Sequence, residues 1–170
     1  MHGPLQRSYA TIVCIICVLV STMAPTAVAS PLRSKLVEAF VRASLTRFAE
    51  VYSRRDVDGI MASYSDSPSI VAVGANAEHG RFVGPEAIRK AYSRDLARAT
   101  SIRMSFDDAL VTVHDDVAWL VADGHACMQA VDGSMVAASG RLSAVLRRER
   151  GRWLFMMTHW SFPITVAGGP

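Results

Sequence analysis

Taken alternately, the residues of the segment Val117–Gln129 make two unlike rows. One holds Trp119, Val121, Asp123, His125, Cys127 and Gln129; the other holds Ala118, Leu120, Ala122, Gly124, Ala126 and Met128. Alternate side chains of a strand share a face, so Asp123 and His125 are neighbours able to act on one ligand or to bond each other. Inside an apolar pocket, desolvation raises a carboxyl pKa and lowers an imidazole pKa, which brings such a pair into the range for proton exchange near neutral pH. On a solvated or dimer face the same two groups stay hydrated beside Trp119. A period of two separates the faces without saying which is inside.

Two more side chains have similar potential. His159 shares a face with Trp153, Phe155, Met157 and Ser161, where a lone histidine is either a satisfied core group or a catalyst. Arg141 has Ser143 and Val145 on its side of a strand. Turned inward, it is a buried cation that needs Glu78, Asp66 or a ligand carboxylate as counter-ion; turned outward, it is a surface arginine. Glu78–His79 reads as a solvated turn, or else puts Glu78 over a cavity as a base or as the partner of Arg141. Asp123, His125 and His159 are thus the candidate catalytic groups, with Arg141 and Glu78 as ligand-binding candidates.

Other chemistries find no pattern. His114, His125 and His159 lack metal-ligand spacing and Cys127 has no second thiolate near it, so no metal is expected. No glycine-rich phosphate loop occurs, and no cofactor is expected. Arg147, Arg148, Arg150 and Arg152 cluster at a turn, but Glu149 interrupts them without interleaved aromatics, which favours a solvated turn over a nucleic-acid patch.

The elements that must position these residues follow from periodicity. Val37, Val41, Leu45, Phe48 and Tyr52 recur at helical spacing and predict a helix from Ser34 to about Arg54. Asp56 can cap a short second helix through about Tyr64, closed by Ser65–Pro68. Ser69–Gly74 reads as a short buried strand and Arg81–Val83 as a brief edge strand. Gly84-Pro85-Glu86 opens a third helix with apolar positions Ile88, Tyr92 and Leu96. After Thr100 the period becomes two, with Asp107-Asp108 suggesting a bulge. Strands near 117–131, 135–148 and 152–162 are separated by turn signals, Asp132-Gly133 being the strongest. This order is α+β: a curved, mainly antiparallel sheet wrapped around about three helices in one domain.

The 170 residues carry a formal charge of +3 and are 51% hydrophobic and 19% charged, the balance of a globular chain. Part of the apolar excess is one run, Ala10–Val20, too short to span a bilayer. With Arg7 before it and Ala27-Val28-Ala29 after it, the pattern is that of a signal peptide cleaved after Ala29. Residues 1–29 then form the leader and 30–170 the mature domain, secreted or periplasmic and off the membrane. Cys14 and Cys17 leave with the leader, so Cys127 stands alone and reads as a small buried hydrophobe. The mature 141 residues hold 17 basic and 15 acidic side chains, a balance that singles out no partner and no nucleic acid.

Three segments carry a family resemblance. Arg55-Asp56-Val57-Asp58 with Ser67–Val71 and Gly74, then Glu78 with Gly84-Pro85-Glu86-Ala87-Ile88, and finally Gly140–Arg148, Gly151-Arg152-Trp153 and His159–Pro163 resemble, in order and spacing, the SnoaL-like branch of the nuclear transport factor 2-like (cystatin-like cone) superfamily. The resemblance implies a cone of sheet around helices, an apolar pocket open at one end for a small-molecule ligand, and frequent homodimerisation through the outer sheet face. It implies that Tyr64 and Asp66 lie near the pocket mouth, and it strengthens His159 and Arg141 as site residues; Trp119, on the face of Asp123, is a further ligand-binding candidate. The implied activities range from cofactor-free isomerisation, cyclisation and hydration to binding without turnover. The aspartate base expected of a ketosteroid-isomerase site is replaced by Val73-Gly74-Ala75, so that mechanism does not carry over.

Overall fold

A computed structural model describes residues 31–74 and 80–162 of the chain. The predicted leader (1–29), Glu78, His79 and the C-terminal tail lie outside the described residues. Among the described residues no helix is long and apolar enough to cross a membrane.

The helices form where the spacing requires them. Helix α1 (Pro31–Ser53) buries Val41, Leu45, Phe48 and Val51, the inward stripe of its second half. Helix α2 (Val57–Met61) is capped by Asp56, whose carboxylate accepts from the Gly59 amide at 2.8 Å. It is shorter than its sequence suggests because Ser63–Ser65 turn aside to bridge a distant strand: Phe155 N donates to Ser63 O and Ser65 N to Phe155 O. Gly84, at φ 85°, and Pro85 at the first helical position open α3 (Pro85–Leu96), which buries Ile88, Ala91 and Leu96.

Six strands form one sheet in the order β2-β1-β6-β5-β4-β3. They are β1 (Val71–Val73), β2 (Arg81–Val83), β3 (Ala99–His114), β4 (Val117–Ala130), β5 (Met135–Glu149) and β6 (Arg152–Ser161). All neighbours are antiparallel except β1 and β6, which run parallel with Val71 opposite Met157. The expected bulge is present: the β3–β4 register shifts between Asp107 and Leu110, and Asp108 takes φ 48°.

The helices sit on one face of this curved sheet. Ala118, Leu120 and Ala122 of β4 and Leu142, Ala144 and Leu146 of β5 are buried against them, with Phe48 packed edge-on to Phe155 at 5.4 Å. The inner row of β4 is therefore the small one, and the row carrying Asp123 and His125 faces outward. Small inner residues let a sheet wrap closely around helices at one end and leave volume at the other.

Candidate functional site

That volume is a cavity of about 350 Å³ bounded by α1, α3, the inner face of the long strands and the first short strand. Where β4 passes from Ala122 to Gly124, Ala126 and Met128, its inner face changes from core to cavity wall, as does that of β5 at Val136 and Ala138. Two glycines mark the transition, and a side chain at either would force a neighbour to move. A Cβ on Gly124 would sit 2.7 Å from Trp160, and one on Gly140, its register partner, 2.5 Å from the Ser161 carbonyl oxygen. The space freed is filled by flat rings. Phe106 stacks on Trp160 at 5.6 Å and 29°, and Trp160 on Phe162 at 6.2 Å and 20°, so that Trp160 and Phe162 form an aromatic wall.

Polar groups converge on the cavity from three elements. Tyr52, at the end of α1, Tyr92 of α3 and Thr158 of β6 all line it. The buried Tyr64 hydroxyl links two of them, 2.8 Å from the Tyr92 hydroxyl and 2.7 Å from Thr158 Oγ1. Burial pushes Tyr52 up to about 12, helped by the negative charge of Asp95. Burial likewise raises Tyr64 to about 12, against the pull of its hydrogen bonds to Thr158 and Tyr92. Tyr92 is held well above the usual phenol range, mainly by burial. These phenols are neutral at physiological pH and offer hydrogen bonds rather than charge. Arg94, Asp95 and Arg98 add charged groups to the lining, with Arg94 paired to Asp95 at 3.0 Å and stacked over Phe82.

The residues singled out from the sequence lie elsewhere. Asp123, His125, Arg141, Trp119 and His159 are on the outer face, and none lines the cavity. The sheet does bring several of them together. Arg141 Nε donates to Asp123 Oδ1 at 3.1 Å, so its counter-ion is Asp123 and not Asp66. His125 Nδ1 is 3.0 Å from Ser139 Oγ, and its Nε2 is 3.5 Å from Asp107 Oδ2. His159 stands one strand further on, opposite Ser143, and is exposed; it does not share the buried face of Trp153 and Phe155, because the β5–β6 register shifts between Val145 and Leu146 and reverses the parity of β6. Tyr64 is buried behind the cavity wall, Asp66 is exposed after α2, and Glu78 is outside the described residues. Cys127 is exposed on the outer face, which corrects the buried reading; it follows the outward parity of its strand. Among the described residues no cluster of three or more His, Cys, Asp or Glu side chains is placed to hold a metal.

The cavity groups that sequence reasoning missed are Tyr52, Tyr92, Thr158 and Trp160. Tyr52 and Tyr92 occupy apolar-stripe positions of their helices, where a phenol counts as core. The usable signal was the row of alanine and glycine along β4, matched by Ala138 and Gly140 on β5, because small residues lining a concave face leave room.

A curved sheet holding helices in its hollow, with an apolar cavity and a few convergent hydroxyls, defines a cone-shaped α+β domain built around a ligand-sized space. The chain belongs to the SnoaL-like family, whose sequence profile matches residues 41–165. The fold is similar to that of a candidate dehydratase of the nuclear transport factor 2-like family from Streptomyces avermitilis (TM-score 0.70, 17% identity, 78% of this chain and 99% of that one). It is also similar to a nuclear transport factor 2-like protein of unknown function from Pseudomonas putida (0.67, 24%, 79% and 92%). A third such structure is a candidate scytalone dehydratase from Novosphingobium aromaticivorans (0.71, 10%, 82% and 93%). Comparison with curated proteins finds no match.

Proposed function

We propose that this chain is an exported protein that binds a small, largely apolar ligand in the cavity between α1, α3 and the inner sheet face. The observation that carries the reading is the cavity itself: about 350 Å³, walled by Trp160, Phe162, Met104 and Met128, with only a few hydroxyl and charged groups converging on it. Native mass spectrometry of protein recovered from its own host tests it. A retained apolar molecule, displaced by anilinonaphthalene sulfonate, is the expected result; absence of both the molecule and dye binding overturns the reading.

Turnover is a second reading. Asp95 is a carboxylate lining the cavity close enough to Tyr52 to raise its pKa, and such a pair suits cofactor-free isomerisation, cyclisation or hydration. Solvent deuterium incorporated into the retained ligand, and lost in Asp95→Asn, supports it.

Export rests on the leader pattern. The expected mature N-terminus is Ser30, and protein outside the cytoplasm that still begins at Met1 overturns it. The outer sheet face, where Leu110, Val117, Trp119 and Val121 are exposed, supports homodimerisation.

A further inference from the structure

We infer that the homodimer through the outer sheet face is proton-linked, tightening on acidification as His125 becomes the counter-ion of Asp107. The inference rests on the homodimer reading above and concerns what regulates that interface. Val121 stands opposite Leu110 and two residues from Trp119, in the middle of the exposed apolar patch. His125 follows it by four residues on the same face of β4, about 13 Å at the rise of a strand. One partner of a stable interface contributes about 800 Å², a patch of about 16 Å radius. A second copy seated on the apolar patch therefore reaches His125.

The surroundings of His125 suit an imidazolium. Its Nδ1 is 3.0 Å from Ser139 Oγ and its Nε2 is 3.5 Å from Asp107 Oδ2, so each ring nitrogen faces an oxygen able to accept a proton bond. Neutral imidazole has one N–H for these two oxygens, whereas the cation has one for each. The neighbouring charges do not balance without that added proton. On β3, Arg103 and Asp107 flank Ser105, which stands opposite His125; on β4, Asp123 and Cys127 flank His125 itself; on β5, Ser139 and Arg141 complete the cluster. Arg141 is engaged by Asp123 at 3.1 Å. Arg103, four residues from Asp107 along its strand, forms no ion pair with it, so among the described residues only His125 can neutralise Asp107. In the single chain these two side chains are 67% and 48% exposed, and water screens them. A second copy over this face removes that water. A carboxylate left there without a counter-ion is costly, whereas one paired with an imidazolium is largely compensated. Twofold symmetry makes the effect count twice per dimer. The dimer thus holds the His125 proton more tightly than the single chain does. Association is strongest below the range in which histidines titrate and weakens as pH rises through it.

The dimer dissociation constant, measured by analytical ultracentrifugation on either side of the histidine range, tests this. It is expected to be about tenfold lower near about pH 6 than near about pH 8. His125→Gln, which keeps a hydrogen-bonding side chain but takes up no proton, should hold the weaker alkaline value at both. Asp107→Asn, which removes the carboxylate that needs a counter-ion, should be at least as tight as the acid wild type at both. His114→Gln and His159→Gln, at the other described histidines, should follow the wild type, and loss of the pH dependence in either overturns the assignment to His125. A wild-type constant equal at the two pH values, or a pH dependence that persists in His125→Gln or in Asp107→Asn, overturns the proton linkage and leaves the homodimer standing. A monomer at both pH values overturns the homodimer reading and this inference with it.

Discussion

Tyr64 shows how one hydroxyl can organise a cavity it does not line. Replacing it with phenylalanine keeps the ring among Phe48, Tyr92 and Phe155 but removes the link between Tyr92 and Thr158. A loss of about 1 kcal/mol is expected, read from the urea midpoint. The same residues set an alkaline limit. Tyr52 and Tyr64 titrate at about 12 in the folded protein against an ordinary 10.0, so between these values the folded state holds protons that the unfolded chain has released. Their contribution is complete below pH 10 and is lost as pH rises toward 12. Melting temperatures measured from pH 8 to 11.5 should fall above pH 10, and less steeply in Tyr64→Phe. The outer pair Asp123–Arg141, by contrast, is half exposed on both sides and screened by solvent.

At the scale of elements, the glycines of β4 and β5 determine where the sheet stops being core and becomes cavity wall. A methyl group on Gly124 meets the far edge of the Trp160 ring, which can tilt, whereas one on Gly140 meets backbone. Gly124→Ala is therefore expected to destabilise by about 1–2 kcal/mol, and Gly140→Ala by more. Denaturant titration ranks the two, and Gly124→Ala should also weaken binding of anilinonaphthalene sulfonate in the cavity because its methyl displaces the ring that forms the wall. Much of this level was legible in the sequence. The stripe of α1, the Asp56 cap, the Gly84-Pro85 opening of α3, the Asp107-Asp108 bulge and the hairpins are local signals written in neighbouring residues. The end of α2 was not, because what stops it is a bridge to Phe155, some ninety residues away.

For the whole molecule, the curved sheet presents two unlike faces. The inner one is filled by helices and the cavity; the outer one exposes Trp119 at 48% and Leu110 at 75% beside the Asp107–His125–Ser139 and Asp123–Arg141 contacts. An uncovered apolar patch with charged neighbours suits a second copy of the chain. Sedimentation equilibrium should give a dimer, and Trp119→Arg a monomer that still retains the cavity's ligand, since Trp119 faces away from the cavity. A wild-type monomer at micromolar concentration would contradict this.

The sequence by itself determined the α+β class, nearly all the element order, the family and the fact that β4 has two unlike faces. Each depends on neighbours in the chain or on spacing within one element. Only the tertiary structure decided which face is inner. The row with Asp123 and His125 looked the more chemical, but the helices lie over the small row, whose Ala118, Leu120 and Ala122 are buried in the core and whose Gly124 and Ala126 border the cavity. The cavity's polar groups come from α1, α3 and β6, and the small inner row of one strand is what allows them to meet.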